Sequence, residues 1–263
     1  MIVEQIWTGN DWRNFNYLIA CPDTGEALAI DPLDHEKCLL HAQDQGWDIT
    51  QVLNTHEHHD HIGGNAAMID ATGAELLAHK NARDRIVGID RPLSAGDVIQ
   101  VGSTVELEAL DTPGHTMSHV CLLSHTDRQA LFCGDTLFNA GAGNCHHGGH
   151  PNELYMTFSS QLATLPDDTL VYPGHDYIIS NLQFTLSREP GNTDAEALRD
   201  DLLDQDPGNA LVTTIGLEKA VNTFFRLRHP EVIEKLREDF PDLPAEPDEK
   251  TVFLKLREIR NNW

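Results

Sequence analysis

Positive charge is scarce in this chain: 18 Lys and Arg stand against 42 Asp and Glu, for a formal net charge of −24. A nucleic-acid binder needs a basic footprint to displace phosphate counterions, so this balance argues against that class. It also disfavours docking on anionic membrane surfaces. No apolar run approaches the roughly 20 residues of a membrane span. The N-terminal stretch lacks the basic-then-apolar order of a signal peptide. Cysteine is sparse and odd in number: Cys21, Cys38, Cys121, Cys133 and Cys145 are scattered, with no Cys-x-x-Cys pair. That pattern offers no disulfide framework and fits a reducing compartment, so a cytoplasmic protein is expected. Internal repeats and low-complexity tracts are missing as well.

What is present describes a soluble globular protein of 263 residues, 40% of them hydrophobic, long enough for one large domain or two unequal ones. The first two thirds read as short strands with a few helices between. Strands are expected over 3–7, 17–20, 27–30, 49–53, 98–101, 105–110, 119–123, 130–132 and 170–172. Helices are expected over 35–45, 62–71 and 154–165. Past about residue 180 the chain reads as helices alone, over 181–188, 195–203, 217–225, 230–238 and 247–259. Two domains follow, 1–178 of mixed strands and helices and 179–263 helical. The first holds 7 Lys and Arg against 25 Asp and Glu, the second 11 against 17, so cations concentrate in the smaller part.

The dominant signal is Thr55-His56-Glu57-His58-His59-Asp60-His61, placed where a buried strand ends and a helix begins. His56 and His58, two apart on extended chain, point the same way and can grip one cation. Asp60 and His61 fall on the turn into the helix and can face a second position. Glu57 and His59 alternate away from that face. Imidazole and carboxylate donors suit Zn²⁺ or a neighbouring transition metal. Three further segments share one syntax, an apolar strand ending in a Gly- or Pro-containing loop with a ligand-type residue. They are Thr112-Pro113-Gly114-His115, Phe132-Cys133-Gly134-Asp135 and Tyr172-Pro173-Gly174-His175. His56, His58 and His115 can serve one metal; Asp60, His61 and His175 serve another; Asp135 has two oxygens with which to bridge them. Positions left over for water mark a catalytic site. His119 is a candidate hydrogen-bonding partner for this set.

This HxHxDH motif with its downstream His, Asp and His resembles the metallo-β-lactamase superfamily. With Asn181-Leu182-Gln183-Phe184, Glu189-Pro190-Gly191-Asn192 and Asn222-Thr223-Phe224-Phe225-Arg226 in the helical part, the chain is more closely similar to the glyoxalase II family, the hydroxyacylglutathione hydrolases. The resemblance implies an α/β fold, an αββα sandwich with a two-metal site at one edge, followed by a small C-terminal helical domain. It implies hydrolysis of S-D-lactoylglutathione to D-lactate and glutathione by a metal-bridging hydroxide. Two divalent ions are implied, Zn first, with Fe or Mn as alternatives, and catalytic roles for Asp60 and Asp135. Tyr177, Arg257 and Arg260 match glutathione-contacting positions, and Arg is suited to bind carboxylate bidentately. After Asp135 the family usually places a basic residue and an aromatic; here Asn144 and His146 stand instead. That loop, Gly143 to His150, is a remodelled substrate pocket, a source of an extra His near the metals, or a flexible polar segment that binds stray metal. Rival readings are a hydrolase of another thioester or a lactone, a mononuclear-iron persulfide dioxygenase, and a non-catalytic metal-binding protein. The expected partner is a small-molecule glutathione thioester, with no nucleic acid or membrane, for a monomer or small homo-oligomer.

Overall fold

β1 (Ile2–Trp7) pairs antiparallel with β2 (Phe15–Ala20), and β2 in turn with β3 (Glu26–Ile30). Alternation along β2 gives it two working faces. Phe15, Tyr17 and Ile19 enter one core cluster, while Leu18 and Ala20 enter another. The computed structural model describes residues 1–126 and 128–263. α1 (His35–Gln45) starts where the Asp34 carboxylate accepts the Lys37 N–H and stops at left-handed Gly46. β4 (Asp48–Asn54), α2 (His59–Ile62), α3 (Asn65–Thr72), β5 (Glu75–His79) and β6 (Arg91–Leu93) follow. These strands form one sheet in the order β1-β2-β3-β4-β5-β6, parallel from β3 onward.

The second sheet uses β7 (Val98–Val101), β8 (Val105–Asp111), β9 (Val120–Ser124) and β10 (Ala130–Gly134). A small hairpin follows, β11 (Leu137–Phe138) with β12 (Gly141–Ala142), then α4 (Pro151–Ser160) and β13 (Leu170–Pro173). The rest is α5 (Ile178–Arg188), α6 (Thr193–Leu202), β14 (Thr213–Thr214), α7 (Ile215–Val221), α8 (Pro230–Asp239) and α9 (Glu249–Arg260). Strand order is β14-β13-β10-β9-β8-β7.

The two sheets face each other through Phe15, Tyr17, Ile30 and Leu53 on one side and Leu107, Leu122 and Phe132 on the other. Phe132 and Tyr172 stack at 4.8 Å within this layer. Cys38, Ala42 and Met68 seat α1 and α3 on the outer face of the first sheet. Phe158, Phe184, Phe224 and Phe253 pack helices over the second. The result is the expected αββα sandwich followed by helices. Among the described residues, no helix is long and apolar enough to cross a membrane.

Several elements differ from the sequence reading. The helix expected over 62–71 is two helices, α2 and α3, and it begins at His59. The one expected over 154–165 begins at Pro151, which suits a first helical position, and breaks after Ser160. The helix expected over 217–225 starts at Ile215 and ends at Val221, so the Phe224 and Phe225 rings come from the turns after it. β5, β6, β11, β12 and β14 were not expected. β14 pairs antiparallel with β13, so the helical part of the chain also completes the edge of the second sheet.

β3 and β4 run parallel, as do β10 and β13, and β8 shares the direction of β10 because both are antiparallel to β9. The ends of all these strands open at one edge of the sandwich. An isolated bridge between Asn14 and His175 joins the two sheets there.

Candidate metal centre

Each strand end delivers one or two ligand-type side chains to that edge. From the β4–α2 connection come His56, His58, Asp60 and His61; from β8, β10 and β13 come His115, Asp135 and His175. His56, His58 and His115 gather into one cluster, Asp60, His61 and His175 into a second. His58 Nδ1 lies 3.0 Å from His56 Nε2 and 2.9 Å from His115 Nε2. His61 Nε2 and His175 Nε2 are 3.2 Å apart, with Asp60 Oδ2 at 3.5 and 3.4 Å from them. Asp135 spans both groups. Its Oδ2 is 3.5 Å from His115 Nε2 and 3.3 Å from His175 Nε2, and its Oδ1 is 3.3 Å from His61 Nε2.

The outer nitrogen of each imidazole is tied to an acceptor. His115 Nδ1 donates to Asn144 O at 2.7 Å, His175 Nδ1 to Trp12 O at 2.6 Å, and His61 Nδ1 to Asp31 Oδ2 at 2.8 Å. His58 Nε2 donates to His147 O at 3.0 Å. The Thr55 hydroxyl gives its hydrogen to Asp31 Oδ2, so its oxygen accepts from His56 Nδ1. A neutral imidazole carries one N–H, so every inner nitrogen is a bare lone pair. Bare lone pairs facing one another at about 3 Å repel unless a cation sits among them. The buried Asp135 Oδ1 adds an acceptor with no hydrogen-bond donor. The donor set therefore fits two cations of the Zn, Fe or Mn type, one per cluster, with Asp135 between them.

Electrostatics favour the neutral, ligating form at His56 and His115 and a protonated ring at His61, whose proton a bound cation would displace. Burial pushes the His56 imidazole well below its ordinary range and that of His115 down to about 4, which keeps both in the neutral, ligating form. Burial also opposes charge on His61, but the Asp135 and Asp31 carboxylates outweigh it and lift its pKa. For Asp135 burial favours the acid, and the His175 and His61 rings overcome it, holding the carboxyl well below its ordinary value.

A supporting layer orients these ligands. Asp31, in left-handed conformation with φ 47°, accepts from His61 and from both the backbone and hydroxyl of Thr55. Asn14 Nδ2 donates to Asp60 Oδ2 at 3.1 Å. His119 is buried, and its Nε2 accepts the Asp135 N–H at 3.3 Å while Nδ1 meets Thr112 Oγ1. Burial holds the His119 pKa well below its ordinary range, in keeping with an accepting, neutral ring. Glu57 turns away from the clusters and accepts from Thr116 and Ser118. Gly134 has φ 45°, and a Cβ there would press within 2.6 Å of Thr55 Oγ1 and 2.9 Å of His119 Nε2. Sequence reasoning missed Asp31, Asn14 and Trp12. Asp31 follows an apolar strand just as Asp135 does, a signal that was there to be read; Trp12 acts through its carbonyl, which no side-chain pattern reveals.

Beside the second cluster lies a cleft of about 260 Å³. Tyr177, Asn144, His146, Arg257 and Arg260 all line it, with Trp263 at the rim. Tyr177 stacks on His175 at 5.0 Å and donates to Trp12 O at 2.8 Å. Arg260 lies against the Phe184 and Trp263 rings and bonds Ser180 and Asn181. Arg257 is buried, and His146 is exposed.

The family model described as the metallo-beta-lactamase superfamily matches residues 10–175, and that described as the hydroxyacylglutathione hydrolase C-terminus matches 176–263. The chain is 70% identical to a hydroxyacylglutathione hydrolase of Polaromonas sp. and 64% identical to one of Nitrosococcus oceani, covering 100% of each chain in both cases. It belongs to the hydroxyacylglutathione hydrolases.

Among solved structures, this family member is similar to ETHE1 from Myxococcus xanthus, with TM-score 0.69 and 27% identity over 98% of this chain and 99% of that one. It is also similar to TTHA1623, solved in a di-iron-bound form, with TM-score 0.58 and 25% identity over 84% and 98%. The hydroxyacylglutathione hydrolase C-terminal model begins at the residue after His175, so the cleft beside the metal centre is built jointly by the two matched regions.

Proposed function

We infer that the protein hydrolyses a glutathione thioester, S-D-lactoylglutathione, to D-lactate and glutathione. The observation that carries this reading is the junction of the two clusters, bridged by Asp135, with a cleft lined by Tyr177 and by Arg260 of the helical region. A pair of divalent cations held by these residues supplies Lewis acidity and brings the pKa of water from 15.7 towards about 7. Asp60, fixed by Asn14, would hold the second cation through Oδ2 and orient the attacking water beside it. Glutathione thiolate is a tolerable leaving group, since an ordinary thiol has a pKa of about 8.5, so no separate acid is needed. A cysteine nucleophile is disfavoured: burial pushes Cys145, which stands between the cleft-lining Asn144 and His146 in sequence, up to about 11. Arg260 offers its guanidinium fork to a glutathione carboxylate on a protein that is otherwise strongly acidic. Catalysis is thus assigned to Asp60 and Asp135, and substrate contact to Tyr177, Asn144, His146 and Arg260, while Arg257, which lines the same cleft, engages most of its donors within the protein.

Zn is the proposed pair, with Fe or Mn supported by the same His and Asp donors. The five free cysteines, four of them buried, support residence in the cytoplasm. The proposed division of the chain is a catalytic domain over 1–178 and a substrate-binding domain over 179–263. A substrate panel tests the assignment. Thiol release should be fast with S-D-lactoylglutathione and at least about tenfold slower with the lactoyl thioester of a carrier lacking the glutathione carboxylates, a loss matching roughly 1.4 kcal/mol of charge-assisted binding. Equal rates on both, or preference for a lactone, would sink the glutathione assignment.

A further inference from the structure

Arg257, near the end of α9, is only 4% exposed. Its Nη1 donates to Ala142 O at 2.7 Å and Gly143 O at 3.0 Å, and its Nε to Asn261 Oδ1 at 2.9 Å. Three of the five N–H groups of a guanidinium are thereby engaged within the protein. The next carbonyl along, that of Asn144, accepts from His115 Nδ1 at 2.7 Å. That bond fixes the tautomer of His115 and leaves Nε2 bare towards His58. Gly143 is wedged between the two halves of this arrangement. A Cβ on it would collide with the Asp135 carbonyl and lie 3.2 Å from His115 Nδ1. Three successive carbonyls are thus divided, two to the guanidinium and one to a ligand ring.

We propose that Arg257 is a positioning residue for the metal centre, acting through the 142–144 segment on His115. The proposal rests on the reading of His56, His58 and His115 as a metal cluster. Buried carbonyls need donors. Without the guanidinium, the Ala142 and Gly143 carbonyls turn to find others, and the Asn144 carbonyl turns with them. His115 then loses the acceptor that selects its tautomer and ring angle. A lysine reaches as a point charge and cannot hold both carbonyls and Asn261 in one plane, so it restores only part of the effect. Arg260, three residues on, bonds α5 and not this segment, and serves as the internal comparison.

The main readout needs no substrate, and KM for S-D-lactoylglutathione is measured beside it. Metal-loaded wild type, R257Q, R257K and R260Q are competed against a chromophoric chelator, and each is also loaded with Co²⁺ for its visible spectrum. Wild type and R260Q should hold two equivalents alike. R257Q should lose about 10–100-fold in affinity for one equivalent, the range typical of an outer partner of a ligating His, with a changed Co²⁺ spectrum. R257K should fall between, and it carries the test where R257Q does not fold. Unchanged metal affinity in R257Q with only a raised KM would make Arg257 a substrate contact and overturn the proposal. A lowered melting temperature with unchanged chelator competition would reduce it to a packing role and overturn it equally. Wild type that binds no metal would instead overturn the metal reading itself.

Discussion

His61 donates its Nδ1 hydrogen to the Asp31 carboxylate across 2.8 Å, with both side chains sealed from solvent. Asp31 accepts from Thr55 with the same group, so one carboxylate fixes the tautomer of His61 and, through the Thr55 hydroxyl, that of His56. One side chain from each cluster is thereby set by a residue outside both, although Asp31 also lies close enough to His56 and His61 to form a third donor group with them.

Asp31→Asn should therefore weaken both positions together. An amide presents a donor where two donors already point, and metal affinity or turnover should fall about 10–100-fold. Metal content after dialysis and turnover at saturating metal report the two effects. Wild-type values in both would contradict the role given to Asp31.

Asp135→Ala removes the carboxylate that contacts both clusters. Turnover should fall by more than about 10²-fold, beyond an outer-partner loss, and both metal equivalents should be released more easily. Loss of one equivalent with the other held at wild-type affinity would show that Asp135 does not bridge.

Arg260→Gln should raise KM for S-D-lactoylglutathione about tenfold or more while leaving kcat within a few-fold, as loss of a charge-assisted contact of about 1.5–3 kcal/mol implies. A fall in kcat with unchanged KM would place Arg260 in the chemistry and not in binding.

Glu218 gives a pH prediction away from the metals. It is fully buried on α7, and burial raises its pKa from 4.5 to about 7. Its Oε2 accepts from Ala140 N and Asn222 Nδ2, while Oε1 lies 2.8 Å from Thr213 Oγ1, itself 3.1 Å from Asn139 Oδ1. One hydroxyl hydrogen cannot serve two acceptors; a protonated Oε1 donates to Thr213, which passes its own hydrogen to Asn139. Between pH 4.5 and 7 the folded chain keeps a proton that the unfolded chain has released. The contribution of Glu218 is thus full below pH 4.5 and lost as pH rises through 7, a swing on the order of 3 kcal/mol. Glu218→Gln copies the protonated acid. It should match wild type at pH 5 and melt several degrees higher at pH 8; parallel profiles for the two proteins would contradict the burial argument.

The candidate ligand residues were legible because each set follows an apolar strand, His56 to His61 as a dense His and Asp run and His115, Asp135 and His175 after Gly- or Pro-containing corners, local patterns that survive without knowledge of tertiary contacts. The partners that orient them were not. Asn14 and Trp12 reach Asp60 and His175 only because the sheets meet at that edge. Strands were readable where β-branched residues alternate, and missed where pairing alone makes them. β5 reads Glu75-Leu76-Leu77-Ala78-His79, which favours a helix by propensity and is held extended by its parallel register with β4. β6 carries Pro92 and lies at the sheet edge, where proline is tolerated. Arg257 was placed from the resemblance as a substrate contact; that most of its donors meet the 142–143 carbonyls and Asn261 is visible only in three dimensions.

The most direct test of the account is thiol release from S-D-lactoylglutathione as metal is titrated into chelator-stripped protein. The account predicts no turnover in the stripped protein, full activity at two equivalents of divalent metal, and a kcat/KM within about 10⁴–10⁸ M⁻¹s⁻¹. Turnover that survives stripping, or its absence with two metals bound, would contradict it.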